Sequence, residues 1–226
     1  MTNFRHGLIL SAVFWLIWAC AGKPADSPEI VQPPQPLHHL LVLPMVDMAT
    51  DQPLQTSLRS PLSGKMYDAG RVDPLADGQM TRELIRQLKG VFPAIRIELT
   101  DARLSIDDAN QGFAGNQRTA AAVQGMGREA GADYVMLGFL YDFRDRSGGD
   151  FGVETPAQIA FELNLIRVAS GRLVWQSHFK EKQQALNENI LQFKKFWRRK
   201  GRWVTALQMA SAAMEEMIRD LGKKYH

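Results

Sequence analysis

The chain has 226 residues, with 45% hydrophobic and 23% charged side chains, which fits a folded domain and excludes a wholly disordered chain. Lysine and arginine exceed aspartate and glutamate by 27 to 24, and a single cysteine excludes an internal disulfide framework or a cysteine-rich metal cluster. Five histidines spread along the length offer little material for a zinc enzyme.

Residues 1–20 read MTNFRHGLILSAVFWLIWAC. A polar start carrying Arg5 runs into an apolar stretch from Leu8 to Ala19, the pattern of an export signal. The apolar run is too short for a permanent span, which takes roughly 20 residues. Ile17-Trp18-Ala19-Cys20 closes it and resembles the lipobox of bacterial lipoproteins, although Trp18 stands where that family usually has a small residue. The resemblance implies removal of residues 1–19 and lipidation of Cys20, each buried methylene adding about 0.8 kcal/mol of anchoring. Ala21, in place of an aspartate, implies the outer membrane. Residues 20–37 follow as a lipidated cysteine and proline-rich tether, reaching up to about 50 Å if extended.

The expected domain covers residues 38–226. His39 to Met45 reads as the first strand, and Val46 to Asp73 as a polar, turn-rich loop. Pro74 to Leu88 carries a helical stripe of Met80, Leu84, Ile85 and Leu88, with Asp73 as a cap and Gly90 as its end. Val91 to Leu99 reads as a strand. Asn116 to Gly131 reads as an alanine-rich helix in which Gly127 suits close packing. Tyr134 to Leu140 is nearly continuous in apolar residues, so both faces of that strand should be covered. Ile159, Phe161, Leu163 and Leu165 alternate with Glu162 and Asn164, and a Ser170-Gly171 turn leads to Leu173 to Phe179. These two strands predict a hairpin with one buried face and Trp175 in the packing. Val204 to Leu221 is a helix with the stripe Leu207, Ala210, Ala213, Met214, Met217 and Leu221. The order β-α-β-α-β-β-β-α predicts an α/β sandwich with a mixed sheet.

Gly131-Ala132-Asp133 leading into Tyr134 to Gly138, with the helix before it and the Ser-Gly hairpin after it, carries a further resemblance. It is similar to a group of periplasmic domains, the CsgG/LpoB/TolB-N-like superfamily. The group holds the curli secretion lipoprotein, the lipoprotein activators of penicillin-binding proteins and the N-terminal domain of the Tol-system propeller protein. The curli member's pore needs amphipathic membrane strands of about 9–11 residues, which neither 100–116 nor 186–203 supplies. The activators match the plan of lipidated cysteine, tether and one αβ domain. That likeness implies a non-catalytic adaptor that binds another envelope protein, such as a peptidoglycan synthase. The other expectation is a self-associating accessory component of a secretion or polysaccharide-export apparatus.

The strongest local signal is the basic-aromatic run Phe193 to Trp203. Its candidate contact residues are Lys194, Lys195, Phe196, Trp197, Arg198, Arg199, Arg202 and Trp203. From Phe179 onward eleven basic residues face five acidic ones, whereas residues 20–178 are net acidic. Three readings stay open: a solvated face covering one end of the core, a surface for an acidic partner patch, or a contact with anionic lipid headgroups. Export sets nucleic acid aside. No cofactor, metal or catalytic set is expected. The adjacent His38 and His39 point to opposite strand faces, Asp107-Asp108 reads as surface, and Asp142 to Gly152 reads as a flexible connection lacking calcium-loop spacing.

Overall fold

The computed structural model describes residues 35–49, 53, 56–104, 112–149, 152–182 and 204–225. Residues 35–226 form one compact unit. Its strands are β1 (His39–Val42), β2 (Val46–Asp47), β3 (Ser57–Arg59), β4 (Met66–Asp68), β5 (Arg96–Leu99), β6 (Tyr134–Arg144), β7 (Ser147–Gly149), β8 (Gly152–Thr155), β9 (Gln158–Arg167) and β10 (Arg172–Lys182). Its helices are α1 (Ala76–Val91), α2 (Gly112–Glu129) and α3 (Ala206–Tyr225).

The main sheet runs β10-β9-β6-β1-β5, with β2 pairing along the far part of β6. β1 lies parallel to β5 and β6, and β6, β9 and β10 are antiparallel in turn, so the sheet is mixed and unclosed. The chain steps from β1 out to β5 through α1, then back across β1 to β6 through α2. A reversal of direction with the same crossover hand puts the second helix on the opposite face. Accordingly α1 and α3 cover one face, with Met80, Leu84, Leu88, Met214 and Ile218 against Phe161, Leu163 and Leu165. α2 and the β3–β4 hairpin cover the other, with Val123, Leu58 and Tyr67 against Val135, Leu137 and Tyr141. A Cβ on Gly127 would lie 2.5 Å from Val168, so glycine there lets α2 sit down on the sheet. Gly171 turns the β9–β10 hairpin at φ 68°.

The predicted order of major elements and the α/β class hold. Several details are corrected. The stretch 46–73 is not simply a loop: β2, β3 and β4 lie within it, and the β3–β4 hairpin is part of the core. Helix α1 starts at Ala76 and runs through Gly90 to Val91, so the strand expected from Val91 is only Arg96–Leu99. Asp73 does not cap α1 with its side chain; its carboxylate accepts from the Asp145 amide at 2.8 Å, and Leu75 takes the cap position. The connection after Asp142 contains the β7–β8 hairpin. The β9–β10 hairpin has more than one buried face, because Glu162 and Asn164 are fully buried opposite the apolar set. Trp175 is buried, as its alternating strand predicts.

Candidate functional site

Cys20 lies outside the described residues, as do Lys194, Lys195, Phe196, Trp197, Arg198, Arg199, Arg202 and Trp203. What the structure gives is the ground around that basic-aromatic run in the chain. β10, which precedes it, is an edge strand, and α3, which follows it, packs beside β9 and β10. Between β10 and α3 lies a groove of about 650 Å³. Phe179, Ala213 and Met217 give it an apolar floor, while Ala212, Glu216 and Lys223 stand at its exposed rim. Arg219, also on this groove, is held by Glu215 at 2.5 Å.

The opposite edge is β5, four residues long, with its end residue Leu99 47% exposed. Just beyond it Arg103 reaches Asp77 in the first turn of α1, at 3.8 Å. This contact ties the segment that follows β5 to the first turn of α1, a corner that Asp73 also bonds to Phe143 and Asp145 at the end of β6. At that corner Leu75 is left-handed, with φ 66° and ψ 5°. At the N-terminal end of the strands, His39 ties three segments together. Its Nδ1 lies 3.0 Å from the Gly131 carbonyl and its Nε2 3.3 Å from Glu98. Asp133 accepts the backbone amide of His39 at 2.9 Å. The Gly131-Ala132-Asp133 joint therefore works as a clasp on the first strand.

The second sheet face is organised around a carboxylate that sequence reasoning left unassigned. Glu162, fully buried, accepts from Ser60 Oγ and from Asn164 Nδ2 at 3.1 Å through one oxygen. Its other oxygen accepts from Tyr67 OH at 2.7 Å, Ser63 Oγ at 3.1 Å and Gln176 Nε2 at 3.1 Å. All five donors are neutral, so hydrogen bonds rather than an ion pair compensate the buried group. Burial, reinforced by the Glu162 charge, pushes the Tyr67 and Tyr141 hydroxyls well above the ordinary phenol value, so both stay protonated. Their rings stack at 4.1 Å. The only sequence signal for this cluster was the polar alternation at Glu162 and Asn164, which a solvent-facing side explains equally well. Asp142, on the same strand as Tyr141, is also buried, and desolvation raises its pKa.

This arrangement braces the β3–β4 hairpin against the sheet and presents no open acid–base pair to a substrate. Among the described residues no group of three or more His, Cys, Asp or Glu side chains could hold a metal ion. None of the described helices is long and apolar enough to cross a membrane.

An α/β domain with an unclosed mixed sheet and helices on both faces is the class that fold and site define. Residues 74–180 match the family model described as peptidoglycan-synthase activator LpoB. That span runs from the entrance of α1 into β10 and includes Gly131-Ala132-Asp133 and, of the buried cluster, Glu162, Asn164 and Gln176, while Ser60, Ser63 and Tyr67 precede it. Among solved structures, the PelC dodecamer from Paraburkholderia phytofirmans is similar at 13% identity and TM-score 0.48, covering 81% of this chain and 86% of its own. The LpoB C-terminal domain from Salmonella enterica is similar at 16% identity and TM-score 0.30, covering 66% of this chain and 85% of its own. Lipoprotein GNA1162 from Neisseria meningitidis is similar at 12% identity and TM-score 0.35, covering 72% and 92%. No curated protein matches in sequence.

Proposed function

We propose that this chain is a non-catalytic periplasmic assembly protein that works by self-association, as an accessory component of an outer-membrane secretion or polysaccharide-export apparatus. Lipid on Cys20 holds it at the outer membrane, residues 20–37 set its reach, and the domain from residue 38 makes the contacts. The observation that carries this reading is that the sheet is unclosed and ends in two edge strands. β10 and β5 stand at the two ends of the strand order, and among the described residues neither pairs with a second strand. A protein must either blunt such edges or use them. Confinement to one membrane layer raises the effective concentration of copies for one another. The basic-aromatic run Lys194, Lys195, Phe196, Trp197, Arg198, Arg199, Arg202 and Trp203 supplies the contact with membrane or apparatus.

A second reading has its own support. The family matched over residues 74–180 is described as a peptidoglycan-synthase activator, which favours an adaptor meeting one envelope synthase. The test is the molar mass of full-length protein extracted from envelopes in detergent, together with crosslinking in intact envelopes. A homo-oligomer without a stoichiometric partner supports self-association. A monomer crosslinked to one synthase, and released when Trp197 and Arg198 are changed to alanine, replaces it with the adaptor reading. Metabolic labelling with palmitate, lost in Cys20→Ala, checks the anchor.

A further inference from the structure

Leu75 is the only non-glycine residue with positive φ among the described residues, a conformation that crowds its Cβ against the backbone. It occupies the N-cap position of α1, where its side chain accepts no hydrogen bond from the first helical turn, and it is 76% exposed. Asparagine would relieve the strain and supply the cap, so the position favours leucine only where something apolar covers it.

The chain itself brings such a group to this corner. The Asp73 carboxylate, two residues before Leu75, accepts the Asp145 amide at 2.8 Å, and the Asp145 carboxylate accepts the Ala206 amide at 3.1 Å at the start of α3. A reciprocal cap fixes the entry into α3: Thr205 Oγ accepts the Gln208 amide at 3.1 Å, and Gln208 Oε1 accepts the Thr205 amide at 3.0 Å. Val204, just before that cap, packs against the core. Trp203, the last residue of the basic-aromatic run, is three residues from Ala206, and Leu75 is two from Asp73, so each stretch spans at most about 10 Å.

Charge agrees with this placement. Asp73 and Asp77 flank Leu75, and Asp145 joins them through its bond to Asp73. The arginines that approach, Arg71 and Arg103, stay 3.8 Å from the carboxylates of Asp73 and Asp77, beyond direct hydrogen-bond distance. Residues 198–203 carry Arg198, Arg199, Lys200 and Arg202 and no acidic residue. We infer that the end of the basic-aromatic run docks back on its own domain, with Trp203 covering Leu75 and Arg202 facing the carboxylates of Asp73, Asp77 and Asp145. Arg202 and Trp203 are then positioning residues, and Lys194 to Arg199 are the part of the run left to meet a partner. This inference goes beyond the self-association reading and does not depend on it, since a monomer makes the contact as well as an oligomer does.

A thermal double-mutant cycle on the full-length chain in detergent tests the contact. Leu75→Asn relieves backbone strain and, with nothing covering the corner, should raise the melting temperature by about 2 °C. The expected result is that this rise appears only in a Trp203→Ala background. In the unaltered chain and in Trp197→Ala, Leu75→Asn should lower the melting temperature, because it removes the seat of Trp203. Tryptophan emission gives a second readout: Leu75→Asn should shift it to the red in the unaltered chain and leave it unmoved in Trp203→Ala. If Trp203→Ala fails to fold by circular dichroism, Trp203→Gln replaces it. A rise of the same size in all three backgrounds, or emission that does not respond to Leu75→Asn in the unaltered chain, shows a bare corner and overturns the inference. Coupling of Leu75 to Trp197 in place of Trp203 overturns it as well. So does coupling that strengthens with protein concentration, which would give the corner to the run of a second copy.

Discussion

The two faces of the sheet are built on different physics. The face under α1 and α3 is dry and apolar: methionine and leucine side chains at helical spacing meet the odd-numbered apolar residues of β9. The face under α2 and the β3–β4 hairpin is also mostly apolar, but it closes over Glu162 and five neutral donors. Burial on the first face is non-directional and degrades gradually when side chains shrink. Burial on the second is conditional, because a carboxylate that loses its donors, or donors that lose their carboxylate, are left desolvated without compensation. The same sheet is therefore tolerant on one side and brittle on the other.

The change that breaks the contrast most sharply is Glu162→Ala. It strands the side chains of Ser60, Ser63, Tyr67, Asn164 and Gln176 in a buried site, for a loss of about 4 kcal/mol in urea unfolding. Because the cluster ties residues 60–67 to β9 and β10, hydrogen exchange should accelerate first at Leu58 and Tyr67. Protection in α1 and α3 should survive. Uniform loss of protection across both faces would show that the carboxylate supports the whole core rather than one side. On the dry face, Leu84→Ala removes a fully buried side chain from α1 and should cost about 3 kcal/mol. Its exchange signature should be global, since α1, α3 and the sheet share that cluster. A purely local opening of α1 would contradict the shared core.

The dry face was legible from the sequence because its information is periodic. Met80, Leu84 and Leu88 recur at helical spacing, Ile159 to Leu165 alternate, and the two patterns meet in the structure. The brittle face was not. Glu162 and Asn164 alternate with apolar residues as a solvent-facing side would, and their partners lie far along the chain, Ser60 being 102 residues from Glu162. No local pattern encodes a pairing of that span. The β3–β4 hairpin escaped for the same reason: three-residue strands between turn residues carry too few positions to show a period. Helix α1 was placed correctly in its body and misplaced at its start. The Asp73-Pro74 pair has the form of a cap, whereas tertiary contact with the Asp145 amide claims the aspartate. Of the candidate contacts, the basic-aromatic run is conspicuous in the sequence by its charge.

The smallest expected effect lies on the rim of the dry face, where a polar clasp joins α1 to α3. Glu83 accepts from Arg86 at 2.9 and 2.5 Å and from Gln87 at 2.8 Å, and Arg86 and Gln87 reach Ser211 Oγ and the Ser211 carbonyl at 3.1 and 3.4 Å. The Arg86 hydrogen bonds are the largest influence on Glu83 and bring its pKa from 4.5 down to about 2. A carboxyl whose pKa is depressed by folding binds its proton more readily when unfolded. Its contribution is therefore present above pH 4.5 and is lost as pH falls toward 2. Arg86 is largely exposed, so the clasp is worth on the order of 1 kcal/mol at neutral pH. Glu83→Gln should lower stability by about that amount at pH 7 and by progressively less below pH 4.5, converging with the unaltered protein near pH 2. Urea midpoints of the two proteins across this range are the measurement. A difference that stays constant with pH would assign the effect of Glu83 to packing between the helices, and the dry face would then owe nothing to charge even at its rim.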